Sequence, residues 1–256
     1  MKTYLEKSCV IKAIAWDNES VLTSPSWARC YDLAYDNLGL NPPLADDPSR
    51  GKQYKKMLSV PIDPEINKTL RTFEPGLEES NYLQSYTSGH ISAEEFWPIV
   101  CQHGFKLTPS RDNVQAIRAA QTYLLKNREG DVQDIPEIVE VLKSVSTVLA
   151  QFVLSNTNPE IYEGIKDALF LKCIPESHQL FSIFIKCRKP SAMSYQILIE
   201  RAGLDPEQIL FIDDKESNVV AARKYGIKGV VFNGQTETSD ILIDHLGTLG
   251  IMISKE

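Results

Sequence analysis

Short, nearly unbroken apolar runs alternate with longer amphipathic stretches along this chain. The runs at residues 10–16, 148–154, 181–185, 209–212 and 229–232 are rich in β-branched, aromatic and alanine residues. Such runs predict the strands of a parallel sheet, because crossover helices cover both of its faces and leave no polar side. Helical signals fall between them. After Pro190, the residues Tyr195, Leu198, Ile199 and Ala202 recur at i, i+3, i+4 and i+7, and Gly203 supplies a left-handed stop. Pro136 opens a second helix carrying Ile138, Val139 and Leu142, and a third is predicted from Ser217 or Asn218 to Gly226.

Residues 24–131 have a different texture. They contain no convincing strand and read as helices interrupted by Pro42-Pro43, Pro61, Pro64 and Pro75-Gly76. Ser92 and Glu95 have the spacing of a capping box, followed at once by Phe96. The predicted fold is therefore α/β, a Rossmann-like three-layer α/β/α parallel-sheet core with an inserted all-helical cap. Residues 1–23 and 132–256 form the core, and 24–131 form the cap.

At 256 residues, with 43% hydrophobic and 24% charged content, the chain can bury a full core. Its net charge of −7 argues against sequence-independent nucleic-acid binding, which needs a basic face. An anionic substrate must instead meet a local positive site. No apolar run approaches a membrane span, and the charged N-terminus lacks the apolar centre of a signal peptide, so the expected location is the cytoplasm. The five cysteines and four histidines are dispersed, without the spacing of a zinc site or a disulfide frame. Oligomeric state and substrate identity have no signal in the sequence.

The chemistry gathers where the predicted strands end. These ends carry Asp17, Ser155-Asn156, Lys189 a little past its strand, and the pair Asp213-Asp214. In a parallel α/β sheet, ligands bind beyond the carboxyl ends of the strands. Adjacent carboxylates at the end of a buried strand repel each other and are costly to desolvate, and a divalent cation relieves both problems. Together the segments supply a carboxylate nucleophile, hydroxyl and amide donors, a cation and a metal-binding acid pair. That set suits phosphoryl transfer, where positioning and charge neutralisation dominate.

The segments Val153-Leu-Ser-Asn-Thr-Asn158, Cys187-Arg-Lys-Pro190 and Phe211-Ile-Asp-Asp214 resemble the haloacid dehalogenase superfamily. The subgroup most similar holds the phosphatase-like N-terminal domain of epoxide hydrolases and small sugar-phosphate phosphatases. The resemblance implies five central parallel strands with the first in the middle, and a Mg²⁺-dependent phosphatase acting on a small phosphorylated metabolite. It implies Asp17 as nucleophile and Mg²⁺ ligand, with Asp214 a second ligand and Asp213 in or beside the coordination sphere. Ser155 and Asn156 would bind the phosphate, Lys189 would neutralise charge on nucleophile and phosphate, and Asn218 would support the metal loop. The first motif departs from the pattern. Glu19 stands where the superfamily usually has an acid–base aspartate; its backbone carbonyl still suits the metal, but its carboxyl lies one methylene further out. Two alternatives follow: a catalytically weakened family member with a binding or regulatory role, or a different reaction such as dehalogenation of a 2-haloacid or phosphoryl transfer between sugar positions. Trp27, Tyr31, Tyr86 and Trp97 are candidate cap contacts to the substrate.

Overall fold

A computed structural model describes residues 1–25, 27–62, 81–126 and 132–254. Nine strands fall among them: β1 (Lys2–Leu5), β2 (Ala13–Trp16), β3 (Thr23–Pro25), β4 (Val132–Asp134), β5 (Ala150–Ser155), β6 (Gln179–Phe181), β7 (Ile209–Asp213), β8 (Lys228–Val231) and β9 (Ile251–Ser254). Five build a parallel sheet in the order β6-β5-β2-β7-β8, with β2 at its centre. Trp16 pairs with Val153 on one side and Ile212 on the other, so β2, β5 and β7 run out along one edge of the sheet.

Burial of both faces explains the unbroken apolar runs. Ile14, Trp16, Leu210 and Ile212 point into one hydrophobic cluster, with Ile138, Val139 and Leu142 of the Pro136–Val145 helix. Ala13, Ala15, Ile209 and Phe211 point into the other, with Tyr195 and Leu198 of the Ala192–Ala202 helix. That helix ends at Gly203 with φ of +60°, as its sequence predicts. Trp16 is fully buried and satisfies its indole by donating to Gln151 Oε1 at 2.8 Å.

Between β3 and β4 the described chain is helical: Trp27–Leu38, Arg50–Leu58, Tyr82–Thr87, Ala93–Ile99 and Arg111–Lys126, with a single bridge from Pro61 to Asn81. The Ser92 capping box forms, Ser92 Oγ accepting from Glu95 N at 3.2 Å and Glu95 Oε2 from Ser92 N at 2.8 Å. Pro98 sits inside the Ala93–Ile99 helix, which continues as a π turn over Val100–Gly104. The apolar side chains of this insert, among them Tyr31, Tyr54, Tyr86, Phe96 and Trp97, merge with the cluster on one face of the sheet. The predicted breaks at Pro64 and Pro75-Gly76 lie outside the described residues. No helix among the described residues is long and apolar enough to cross a membrane.

Several expectations need correction. The run at 181–185 is not a strand. β6 ends at Phe181, and Ser182–Ile185 forms a helical turn closed by Lys186 at φ of +57°. A short apolar run cannot distinguish a buried strand from a buried turn by periodicity alone; the Oγ of Ser182, at the start of the turn, accepts Thr157 N at 2.9 Å. The first core strand starts at Ala13 rather than residue 10, where Val10 is exposed. Two antiparallel pairs were not legible: β1 with β9, and β3 with β4 across the two connections to the insert.

The insert is tightly packed at Gly104, where an added Cβ would lie 2.3 Å from the Met57 carbonyl oxygen. Gly104→Ala is expected to cost about 1–3 kcal/mol. The loss should appear as a lower urea midpoint with an unchanged slope.

Candidate active site

The carboxyl ends of β2, β5 and β7 deliver Asp17, Ser155 and Asp213 to one edge of the sheet. Asp17 follows β2 directly, and its N–H donates to Ile212 O at 2.8 Å, so the ladder sets its height. Lys189 arrives from the loop beyond β6. Its ammonium reaches Asp17 Oδ1 at 2.8 Å and Asp213 Oδ2 at 2.6 Å, with all three side chains buried. Asp213 is held from behind by Asn218 Nδ2, 3.0 Å from both carboxylate oxygens, and by Lys215 N at 2.8 Å. Asn218 thus supports the acidic loop. Its own carbonyl accepts Tyr195 OH at 2.8 Å.

Carboxylate oxygens of Asp17, Asp213 and Asp214 all lie within 4.8 Å of one another. Burial pushes the Asp17 carboxyl up to about 6; Lys189 opposes the rise and the Asp213 charge adds to it. Burial raises Asp214 as well, against the pull of Lys215 and with the push of Asp213 and Glu19. Desolvation tends to lower Lys215, but Asp17, Glu19, Asp214 and Asp213 around it outweigh that and raise it. One ammonium between Asp17 and Asp213 does not neutralise this corner. Asp214 Oδ1 is buried with no hydrogen bond, and its nearest cation, Lys215 Nζ, is 3.9 Å away. A hard divalent cation fits these residues: the donors are carboxylate oxygens, and one of them lacks a partner. Ser155 Oγ is likewise buried without a hydrogen bond, leaving a hydroxyl able to bind a ligand oxygen.

The Asn156 and Glu19 side chains are engaged by neighbouring residues. The Asn156 side chain turns to the main chain of Lys189, accepting from its N at 2.8 Å and donating to its O at 2.9 Å. It fixes the stem of the lysine. Glu19 directs its carboxylate at the cap, where Oε1 accepts from Lys55 Nζ and from Trp27 Nε1, both at 2.7 Å. Burial would raise Glu19, but Lys55, Lys215 and these hydrogen bonds overcome it and hold the carboxyl below its usual range.

A cavity of about 280 Å³ opens over Asp17 and Lys189. Of the four aromatic cap candidates, only Trp27 lines it. Tyr31 is buried, its hydroxyl accepting Leu44 N at 3.2 Å. Tyr86 and Trp97 are buried and donate to Glu160. Sequence reasoning missed Lys55 and Lys215, which also line the cavity. Lys215 directly follows the acid pair, a signal that could have found it. Lys55 lies 36 residues from Glu19 in sequence, and only the fold unites them.

Residues 11–226 match the family described as haloacid dehalogenase-like hydrolase. The curated relatives include an (S)-2-haloacid dehalogenase of Burkholderia cepacia, 28% identical over 130 residues, or 46% of this chain and 55% of that protein. They also include a flavin mononucleotide hydrolase of Arabidopsis thaliana, 27% identical over 150 residues, or 53% of this chain and 58% of that protein. The chain thus spans little more than half the length of these relatives. Among solved structures, a Bacteroides thetaiotaomicron enzyme of the same family, in complex with magnesium and inorganic phosphate, superposes with a TM-score of 0.61 at 19% identity, covering 90% of this chain and 98% of that one. An L-2-haloacid dehalogenase of Xanthobacter autotrophicus superposes with a TM-score of 0.54 at 15% identity, covering 93% and 83%. At these identities the likeness is one of fold.

Lys189→Met would leave Asp17 and Asp213 buried without their shared ammonium. It is expected to destabilise the metal-free protein by about 3–5 kcal/mol, read by urea denaturation at neutral pH.

Proposed function

The chain belongs to the haloacid dehalogenase-like hydrolases, and within that family we propose that it is a Mg²⁺-dependent phosphatase acting on a small phosphorylated metabolite. The observation that carries this reading is the convergence of three carboxylates within 4.8 Å beside the buried Lys189. Dehalogenation has no use for such a cluster, whereas phosphoryl transfer does. The cavity, about 280 Å³, falls just below the range for ligand sites, which runs from about 300 to 1,000 Å³. That size favours a substrate smaller than flavin mononucleotide, on which one relative is named to act.

In this reading Asp17 and Asp214 would hold the metal through their carboxylates and Glu19 through its backbone carbonyl, with Asp213 alongside. The bound ion supplies charge neutralisation to the phosphoryl oxygens. Asp17 attacks phosphorus and forms an aspartyl-phosphate as the ester P–O bond breaks. Water then attacks phosphorus, the acyl P–O bond breaks, and phosphate leaves with the Asp17 carboxylate restored. Lys189 offsets charge on both partners, and Ser155 Oγ donates to a phosphoryl oxygen. Asn156 acts by holding Lys189. The leaving alkoxide takes its proton from water, because Lys55 and Trp27 already occupy the Glu19 carboxylate. Loss of positioned acid–base help typically costs about 10²–10⁴-fold in rate. The Glu19 contacts therefore also favour a second reading, a family member with weakened turnover and a binding role.

The full-length protein is expected to hydrolyse a generic aryl phosphate with Mg²⁺, to lose that activity to EDTA, and to release no halide from 2-chloropropionate. Asp17→Asn should lower the rate by on the order of 10³-fold or more. Parent-like turnover by that variant would end the proposal. Independently of activity, Mg²⁺ at a hundred times its dissociation constant should add about 2.7 kcal/mol to stability, and Asp214→Ala should forfeit most of it.

A further inference from the structure

Two core carboxylates outside the acid cluster each grip the cap with the same pair of groups, an indole and a cation. Glu19 Oε1 accepts Trp27 Nε1 and Lys55 Nζ, both at 2.7 Å. Glu160 Oε1 accepts Trp97 Nε1 at 3.1 Å and Arg118 Nε at 2.7 Å, and its Oε2 accepts Tyr86 OH. Both clasps border the cavity. Glu19, Trp27 and Lys55 line it directly, while Asn158 and Ile161, on either side of Glu160, line it at the other edge.

The clasps are unequal. Glu160 is buried, and its edge carries further ties: Asn158 Nδ2 to Gln121 Oε1 at 3.0 Å, Ser182 Oγ to the Thr87 carbonyl, and Lys186 Nζ to the Gly89 carbonyl at 3.0 Å. Opening that edge would strand a buried charge. The two cations are alike, Lys55 45% and Arg118 43% exposed, but the Glu19 carboxylate is reached by solvent, its side chain 23% exposed against 3% for Glu160. Exposed ion pairs are weak, and salt screens them.

We propose that Lys55 determines the size of substrate admitted, by closing the cap edge at Glu19 while the Glu160 edge stays fixed as the hinge. This rests on the phosphatase reading for its substrate, though not for the clasp itself. Lys55 Nζ also lies 4.5 Å from the Trp27 ring centroid, so releasing the clasp uncovers that indole.

The three tryptophans make the clasp visible without substrate. Trp16 and Trp97 are fully buried, so acrylamide quenching of the full-length protein reports Trp27. Raising NaCl from 50 mM to 500 mM should increase the quenching constant of the parent. Lys55→Met should give a high constant that salt no longer moves, and Lys55→Arg should restore the salt response. In phosphatase assays, Lys55→Met should raise kcat/KM for a naphthyl phosphate relative to a nitrophenyl phosphate about tenfold, with Lys55→Arg returning it toward the parent. Salt-insensitive quenching in the parent would overturn the clasp. A size preference unchanged in active Lys55→Met would overturn the specificity role. If no variant and no parent preparation hydrolyses phosphate esters, the phosphatase reading fails, and the quenching series still decides whether the clasp opens.

Discussion

The Lys189 ammonium, sealed between Asp17 and Asp213, is the interaction around which the rest of the site is arranged. A buried charge is tolerable only with partners close by, and two carboxylates at the ends of neighbouring parallel strands are tolerable only with a cation between them. Each group therefore makes the others possible. The sheet supplies the spacing: β2 and β7 are hydrogen-bonded neighbours, so the residues that end them are held side by side. Asn156 and Asn218 do not carry charge. They secure the main chain of Lys189 and both oxygens of Asp213, which converts an electrostatic preference into a fixed geometry.

Charge remains unbalanced on the Asp214 side, where a carboxylate oxygen is buried without a hydrogen bond. Burial raises the Asp17 and Asp214 carboxyls there, and the neighbouring Asp213 charge adds to the rise. The imbalance is concentrated at the carboxyl edge of the sheet, beside the cavity over Asp17 and Lys189. The cap meets this region with opposite charge, since Lys55 approaches from the Arg50–Leu58 helix and pairs with Glu19. An acidic protein can in this way present a locally cationic mouth to an anionic ligand.

Much of this was legible in the sequence, for a definite reason. Strands buried on both faces leave unbroken apolar runs, so β2, β5 and β7 and the polar residues at their ends stand out together. The acid pair, Ser155 and Lys189 could be placed because the rule for parallel sheets sends all strand ends to one edge. The failures occur where a long-range contact decides the outcome. Residues 182–185 form a helical turn whose first residue, Ser182, bonds Thr157 across the fold, a contact no local pattern records. Glu19 lies two residues from Asp17 in sequence, yet its carboxylate is claimed by Trp27 and Lys55. Asn156 has the residue type of an anion ligand, but the loop of Lys189 runs close enough to take both ends of its amide.

Tyr195 closes a circuit that reaches beyond the buried charges. It lies on the helix that follows Lys189, and its hydroxyl returns to the carbonyl of Asn218, which holds Asp213, which in turn holds Lys189. Its ring packs against Phe211 on the far face of the sheet, with centroids 5.9 Å apart. Bulk packed behind the sheet is thereby tied, through Phe211, Tyr195 and Asn218, to the alignment of the buried charges in front of it.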